Sequence, residues 1–585
     1  MSGTSDGRGS AWREDRFAVA VVVIGALWAL LWAGACLSAR LSGSAAPRPA
    51  LVPPFAAFAH LADPGMAWPS SVGPAAVYWT STLALAIAAA GVLTGSVGLV
   101  RSHSSGGTVL TTLPGTAGRV EVRRATGTRR LLKQAATLRP SLRSSRPEDV
   151  GYVLGRSRGL TCYCSVEDSA VVLGPPRSGK GLHLAIPMIL DAPGAVISTS
   201  TRPDNLTATL HHRRAAGPVA VFDPQGLAPG IPSKTRWSPI RGCEDPHVAM
   251  TRARALTAGT AEGVTDANYW QASAELAVRC LLHAAALDGR TPTDLYRWSL
   301  AAVEAREAVM ILGTHPGAAP SWHQALESIF STDPRQRDSV WSMVTITFAC
   351  LGDPKVLDAV SPAPTEHFDP EAFLTQLGTI YLLGTSTGSS TTAGLVGALV
   401  EDVVETARRI AARSPGARLD PPLSLILDEA ANYPLPSLPS LMSDGGGTGI
   451  STVVVLQSLA QARAVWGEHA AAAIWDAAIV KVILGGGSNA RDLEDLSRLV
   501  GQRTERTTST STGPHGARST SVSTTQVPIL EPAKLRTLPF GTAILLLRSA
   551  PPIVLTLRPW TARHDADELT AGRRRLEEAI HRAHA

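Results

Sequence analysis

The chain has 585 residues, of which 44% are hydrophobic and only 17% charged, and its formal net charge is +6. This length exceeds what one hydrophobic core can hold, so two or three domains are expected. Six scattered cysteines argue against a disulfide framework, and the lone Cys162-Tyr-Cys164 pair lacks the second ligand pair of a zinc site. The mildly basic charge suits nucleic acid or anionic lipid as a partner and decides between neither.

Two uncharged segments near the N-terminus, 17–39 and 77–100, are long enough to cross the hydrocarbon core of a bilayer. Arginines precede the first segment, and the stretch 101–149 contains ten Lys or Arg. By the positive-inside rule, both flanks lie in the cytoplasm. We therefore expect a multi-pass protein of the bacterial cell membrane, with a cytoplasmic tail at 1–16, two transmembrane helices, an extracytoplasmic loop at 40–76 and the catalytic part in the cytoplasm.

The first segment also has the order of zones found in a secretory signal peptide, so its cleavage is the alternative interpretation. Residues 101–165 are predicted to form a basic juxtamembrane linker. Its Lys and Arg side chains suit contact with anionic lipid or with DNA, and the sequence leaves both open.

Nine short runs rich in Val, Ile and Leu follow this linker and predict β-strands. Nearly continuous apolar runs are typical of parallel strands buried on both faces, and helical patterns between several of them predict a wrapped α/β sheet. The predicted strands are 170–173, 195–199, 219–223, 380–385, 424–428, 452–457, 479–484, 543–547 and 553–557.

Residues 243–350 have no convincing strand pattern but several helix-like stretches. This predicts an all-helical domain inserted between the two parts of a nucleotide-binding domain, 166–242 and 351–560. The Ser/Thr-rich stretch 504–525 is predicted to be a mobile loop. Residues 561–585 are predicted to form a charged C-terminal helix without a clear apolar face.

A glycine-rich loop containing a lysine follows the first predicted strand and precedes a helix. The backbone N–H groups of such a loop point at phosphate oxygens, and the helix N-terminus adds partial positive charge. Lys180 is placed to reach the β- and γ-phosphates of ATP, while Gly181 stands where a Ser or Thr usually binds Mg²⁺. The predicted nucleotide-binding residues are Gly174, Pro175, Pro176, Arg177, Ser178, Gly179, Lys180, Gly181 and Leu182.

A second motif is an apolar strand that ends in two carboxylates, Asp428 and Glu429. Asp428 is predicted to hold Mg²⁺ through water, and Glu429 is predicted to take a proton from the attacking water. Gln457 ends a later strand, where its amide suits a sensor of the γ-phosphate. With Lys180, Glu429 and Gln457 as catalytic residues, the sequence predicts a P-loop ATPase that uses ATP and Mg²⁺.

Together these motifs resemble the type IV coupling protein family, the TraG- and TraD-like conjugation ATPases of the FtsK/HerA group. The resemblance rests on the N-terminal segments, the loop GPPRSGKG at 174–181, the helical insertion, LILDEA at 425–430 and Gln457-Ser458. It implies a RecA-like P-loop ATPase core with an inserted all-helical domain and two N-terminal transmembrane helices.

The same resemblance implies a membrane-anchored ATPase that couples hydrolysis to the recruitment and translocation of relaxase-bound DNA through a type IV secretion or conjugation system. The implied partners are single-stranded DNA with its relaxase, type IV secretion channel components, the membrane, and further copies of the chain in a homo-hexamer. Two alternatives stay open. One is a protein-substrate receptor ATPase of a secretion system, and the other is an FtsK-like pump for double-stranded DNA.

Two stretches depart from the family pattern. An Asp-x-Lys-Gly-Glu stretch after the P-loop helix is replaced by TSTRPD at 199–204, and a basic residue expected upstream of the sensor is replaced by glycines at 445–447. A trans-acting arginine therefore has to come from elsewhere. Arg463 and Arg491 are the nearest candidates, because both follow strand ends, where nucleotides bind in open α/β folds.

Overall fold

The computed structural model describes most of the chain. The chain divides into two compact units, Met1–Thr108 and Val109–Ala585. The described residues are 8–49, 53–104, 110, 112–231, 234–258, 260, 267–363, 366–384, 392–512 and 518–584. Only the backbone is described for 8–24, 91–104, 267–268, 510–512, 518–519 and 584.

The N-terminal unit is built on two long helices, Arg8–Leu41 and Ala75–Ser104. Short helical turns lie between them, at Pro53–Ala56, Ala57–His60 and Pro64–Ala67. A small apolar cluster holds this unit together, because Ala35, Ala57, Trp68, Val72 and Tyr78 are buried against one another. The Ser38 hydroxyl donates to the carbonyl oxygen of Val72 at 2.6 Å, which ties the first helix to the connecting segment.

Among the described residues, no helix is long and apolar enough to cross a membrane. The predicted transmembrane helices 17–39 and 77–100 are therefore not supported by the described residues. The side chains of 17–24 and 91–100 lie outside those residues.

The C-terminal unit is organised around an eleven-stranded sheet with the order β2-β1-β13-β12-β9-β3-β8-β7-β4-β6-β5. All nine predicted strands are present, each within two residues of its predicted bounds. The strands of this sheet are β1 Gly151–Ser157, β2 Leu160–Ser165, β3 Ala170–Leu173, β4 Val196–Ser200, β5 Val219–Phe222, β6 Thr379–Leu383, β7 Leu423–Leu427, β8 Ile450–Leu456, β9 Val480–Leu484, β12 Thr542–Leu547 and β13 Ile553–Thr556.

The sheet is mixed. From β9 to β5 every neighbouring pair is parallel, as predicted from the continuous apolar runs. Beyond β9 the strands β12, β13, β1 and β2 pair antiparallel. The predicted linker at 101–165 thus contributes two strands to the sheet. Their sequences, GYVLGRS and LTCYCS, lack the continuous apolar run that identified the other strands.

Between β5 and β6 the described residues form helices and no strand. Four of these helices begin with an Asp-Pro pair, in which the aspartate accepts a backbone N–H and proline occupies the first helical position. The helices of this stretch are Pro246–Leu256, Ala267–Leu287, Pro292–Leu300, Arg306–Thr314, Trp322–Phe330, Pro334–Phe348, Pro354–Ala359 and Pro370–Thr375.

Further helices pack around the sheet. They are Arg119–Thr126, Thr128–Lys133, Ala135–Leu138, Pro147–Val150, Ile186–Leu190, Asp204–Ala216, Ala393–Arg413, Leu438–Asp444, Leu459–Ala477, Ala490–Val500, Pro532–Arg536 and Ala566–His584.

The prediction of a mobile loop at 504–525 is wrong. Most of this stretch forms a separate antiparallel ribbon of two strands, β10 Gln502–Thr512 and β11 Arg518–Pro528. Thr is β-branched and favours extended backbone, so a Thr-rich stretch can pair with itself although it has no apolar face to bury.

The expectation of a C-terminal helix without an apolar face is also wrong. In the helix Ala566–His584, Leu569 packs in one apolar cluster, while Leu576 and Ile580 pack in a second. These positions recur at helical spacing on one face, but the many Arg and Glu between them hide the pattern in the sequence.

Arg213, on the helix Asp204–Ala216, is almost fully buried and satisfies three acceptors. It donates to the carbonyl oxygens of Ala192 and Gly194 and to the Thr379 hydroxyl, each at 2.8 Å. These bonds join the helix to the start of β6 and to the segment that leads into β4. β4 pairs with β7, the strand that Asp428 and Glu429 follow.

We predict that Arg213→Ala destabilises the protein strongly, because two buried carbonyl oxygens would each lose a partner at a cost of about 1–3 kcal/mol. Chemical denaturation of the full chain would measure the loss in the free energy of unfolding. Arg254→Ala, at an exposed position on the helix Pro246–Leu256, is the control and should change stability by no more than about 0.5 kcal/mol. Equal effects of the two substitutions would contradict the anchoring role.

Candidate functional site

The loop between β3 and the following helix has the curled backbone of a phosphate-binding loop. Gly179 has a φ of +90°, and Arg177 is also left-handed with a φ of +63°. A Cβ on Gly179 would lie 2.8 Å from a ring carbon of His183, so glycine serves this turn at least cost. The backbone N–H of Gly174 donates to the carbonyl oxygen of Leu456 at 3.0 Å, which fixes the start of the loop to the end of β8.

The helix that follows opens with a π turn, Gly181–Ala185, before becoming α-helical at Ile186–Leu190. Pro187 explains this opening, because it has no N–H and its ring would collide with the carbonyl four residues earlier. The N–H of Ile186 bonds instead to the carbonyl oxygen of Gly181. Single π turns of this kind are common at functional sites.

Two polar side chains of the loop are suited to phosphate. The Lys180 ammonium donates to the carbonyl oxygen of Gly174 at 2.8 Å, so it is already folded back over the loop. The Ser178 hydroxyl oxygen is buried and has no hydrogen-bond partner among the described residues. A buried, unpartnered hydroxyl is costly, and a phosphate oxygen would satisfy it. The residues present therefore fit a nucleotide's phosphates.

The two predicted carboxylates follow β7 directly and are held by different partners. Glu429 has a left-handed φ of +52°, a backbone conformation that costs a non-glycine residue about 1–3 kcal/mol. Its Oε2 atom accepts hydrogen bonds from the Thr201 hydroxyl and from the Asn432 amide at 3.3 Å. The candidate base is thus held in one orientation by Thr201, which directly follows β4, and by Asn432 of its own loop.

Asp428 is positioned by the neighbouring β4 and by the helix that follows β4. The Thr199 hydroxyl donates to its backbone carbonyl at 3.0 Å, and the Asn205 amide donates to its Oδ2 atom at 3.3 Å. Removal from water raises the pKa of Asp428 to about 6, and the nearby charge of Glu429 adds to this, while Lys180 opposes it. Removal from water lowers the pKa of Lys180, while the two carboxylates oppose that change.

Most predicted site residues come together at this edge of the sheet. Gln457 directly follows β8, which lies between β3 and β7 and therefore between the loop and the carboxylates. Pro176 and Arg177 are exposed at the loop tip. Leu182 is partly buried and packs against an apolar cluster that contains Ile186.

The two candidate arginines differ sharply. Arg463 is bound to Asp492 at 2.6 Å, and Asp492 also accepts the first N–H groups of the helix Leu459–Ala477. Arg463 is therefore committed to holding that helix start. The Arg491 side chain is 69% exposed, and its ion pair with Glu468 is long, at 3.7 Å, and lies at the surface. Arg491 therefore remains available to another molecule.

The glycines at 445–447 have an arginine beside them that the sequence did not indicate. Arg418 is buried and donates to the carbonyl oxygens of Gly446 and Gly447 at 2.8 and 3.2 Å. These contacts hold the loop rather than present a free cation.

Sequence reasoning missed the supporting residues Thr199, Thr201, Asn205 and Asn432. The only signal for Thr199 and Thr201 was the departure from the family pattern at 199–204, which ends one residue before Asn205. What they do follows from the pairing of β4 with β7, which lie more than 200 residues apart in the chain.

Metal binding here would depend on the nucleotide. No group of three or more His, Cys, Asp or Glu able to hold a metal occurs among the described residues, Cys162 and Cys164 included. Magnesium in nucleotide sites is usually held by one or two carboxylates together with phosphates and water. Asp428 fits that part.

A glycine-rich turn between strand and helix, with carboxylates at the end of a nearby parallel strand, defines a P-loop nucleotide-binding fold. Residues 422–540 match the family model described as "TraM recognition site of TraD and TraG". This match supports the resemblance to TraG- and TraD-like coupling proteins that the sequence indicates, and it confirms that prediction.

Solved structures share the fold. The unbound conjugative coupling protein TrwBdeltaN70 matches at 16% identity and a TM-score of 0.53, covering 72% of this chain and 91% of that one. Plasmid coupling protein TrwB, in complex with the ATP analogue ADPNP and with ADP and Mg²⁺, matches at 17% identity and a TM-score of 0.51, covering 72% and 92%. A comparison with curated protein sequences found no match.

The raised pKa of Asp428 predicts a pH-dependent stability. Because the carboxyl is harder to ionise in the folded chain, its charge costs folding free energy above about pH 6, and this cost vanishes below its ordinary pKa of 3.8. Asp428→Asn should therefore raise the melting temperature of the nucleotide-free protein near pH 8, and the gain should disappear as the pH falls through this window.

Thermal denaturation across this pH range measures the effect. Asp495→Asn, at an exposed carboxylate, is the control and should change the melting temperature little at any pH. A gain from Asp428→Asn that is constant with pH would contradict the assigned burial.

Proposed function

We propose that this chain is an ATPase that couples hydrolysis to the recruitment and translocation of relaxase-bound, single-stranded DNA through a type IV secretion or conjugation system. The observation that carries this proposal is the arrangement of Lys180, Asp428 and Glu429 at one edge of the sheet. Both carboxylates lie inside 422–540, the segment that matches the TraG and TraD family model. Two of the three residues thus lie in the stretch of chain that carries the family match, and Lys180 lies upstream of it.

The chemistry divides among these residues. Lys180 would exchange its bond to the Gly174 carbonyl for the β- and γ-phosphates, where it offsets negative charge. Glu429, held by Thr201 and Asn432, is oriented to accept a proton from a water molecule. Magnesium bound with ATP would supply further positive charge at the phosphates, and Asp428 would hold it through water.

A DNA motor and a protein receptor differ in what stimulates them. In a motor, nucleic acid binding is coupled to turnover, so single-stranded DNA should raise the rate. In a receptor, a protein substrate alone should raise it. Preference for double-stranded DNA would favour the FtsK-like pump.

We predict ATP hydrolysis by the full chain that is stimulated by single-stranded DNA. Steady-state phosphate release with no DNA, single-stranded DNA and double-stranded DNA measures it. Glu429→Gln should keep nucleotide binding, because Lys180 and Asp428 remain, but should lower turnover by about 10²–10⁴-fold for want of a base. Lys180→Ala should lose nucleotide binding itself. An unchanged rate in Glu429→Gln, or no response to DNA, would refute the proposal.

Assembly into a homo-hexamer, with docking to channel components, is part of the same proposal, and Arg491 is its best test. P-loop motors gain about 10³–10⁵ in rate from a cation often lent by a neighbouring subunit. Arg491 is exposed and weakly paired, whereas Arg463 is committed to Asp492.

We therefore predict that Arg491→Ala slows hydrolysis without lowering stability, whereas Arg463→Ala mainly lowers the melting temperature. Mixing Arg491→Ala subunits with Glu429→Gln subunits should restore part of the activity, because some interfaces then combine an intact base with an intact arginine. Activity in the mixture no higher than the sum of the separate variants would rule out a trans-acting Arg491.

A further inference from the structure

Position 181 is where the P-loop of this chain lacks a magnesium ligand. In most P-loops a Ser or Thr hydroxyl at this position binds Mg²⁺, and here the residue is glycine. The backbone at Gly181 is helical and the space beside it is open. The missing oxygen is therefore a feature of the sequence that the fold does not force.

The nearest atom to the vacant side-chain position is an oxygen. A Cβ built on Gly181 would lie 4.0 Å from Oδ1 of Asn205, and no other described atom lies within 4 Å apart from the adjacent residues and the helix's own backbone. Asn205 is 2% exposed and lies in the first turn of the helix Asp204–Ala216. A buried amide is thus placed beside the end of the P-loop.

Hydrogen bonding fixes which end of this amide faces the loop. An ionised carboxylate can only accept hydrogen bonds, so the Asn205 NH₂ group must face Asp428, whose Oδ2 atom lies 3.3 Å away. The amide oxygen is then left on the side of Gly181. The Asn205 side chain therefore lies beside both Gly181 and Asp428, the two positions at which P-loop proteins hold magnesium.

We propose that the amide oxygen of Asn205 takes the place of the P-loop hydroxyl as the protein's oxygen ligand to nucleotide-bound Mg²⁺. An amide oxygen is a hard, neutral ligand, as a hydroxyl is, so the replacement leaves the charge of the site unchanged. The Asp428 carboxylate holds the amide in place, as partners of metal ligands generally do. The inference rests on the proposed nucleotide-binding function and names a ligand for the same site.

The test compares nucleotide affinity with and without magnesium. Asn205→Leu keeps a similar volume and removes the oxygen. Calorimetric titration of the full chain with ADP, in Mg²⁺ and in excess EDTA, separates the metal-dependent part of binding from the rest. We expect Mg²⁺ to tighten ADP binding in the wild type, and we expect Asn205→Leu to lose about 10–100-fold in apparent Mg²⁺ affinity while its affinity in EDTA stays the same. Binding of Mn²⁺ to the ADP complex, followed by electron paramagnetic resonance, should weaken in parallel.

A second variant distinguishes ligation from a merely structural role. Gly181→Ser in the Asn205→Leu background returns the usual hydroxyl without returning the amide that donates to Asp428. It should restore the metal-dependent tightening if the missing oxygen is the cause.

Three results would overturn the inference. They are a full magnesium effect in Asn205→Leu, an equal loss of affinity in EDTA, or no rescue by Gly181→Ser. A wild-type chain that binds no ADP under either condition would instead refute the proposed function on which the inference rests.

Discussion

The site depends on one constraint: the strands that carry it are parallel, so their carboxyl ends meet at the same edge of the sheet. In the order β3-β8-β7-β4, the P-loop, Gln457, the two carboxylates and the Thr201 segment each leave the end of a neighbouring strand. Parallel pairing needs crossover connections, and the helices that provide them cover both faces of these strands. The order of the buried strands therefore fixes where the site lies, and the loops that follow these strands supply its side chains.

The same arrangement buries charged side chains away from water, which lowers the free energy of unfolding. Burial disfavours the ionised forms of both Asp428 and Lys180, and Glu429 is held with a strained backbone. Hydrogen bonds from β4 and its loop offset part of this cost. Strained backbone and buried charges of this kind are typical of functional sites, where a bound ligand would offset the cost.

Sequence patterns predicted the fold well where the pattern and the burial agree. The central strands are buried on both faces, so their apolar runs were unmistakable. β1 and β2 were missed because their apolar residues are interrupted by glycine and polar residues, and the ribbon of β10 and β11 was missed because it buries no apolar face. The C-terminal helix was misjudged because its large apolar packing residues, Leu569, Leu576 and Ile580, are separated by many Arg and Glu residues.

By itself the sequence determined the chemistry that is local in the chain: a glycine loop with Lys180, and two adjacent carboxylates at a strand end. Only the tertiary structure decided which side chains support them, because strand order, not sequence distance, brings Thr201 and Asn205 to Glu429 and Asp428. It also decided between the two arginines. Both follow strand ends in the sequence, but one is paired with Asp492 across two helices and the other is exposed, and hydrogen bonds between distant segments leave no periodic signal in a single chain.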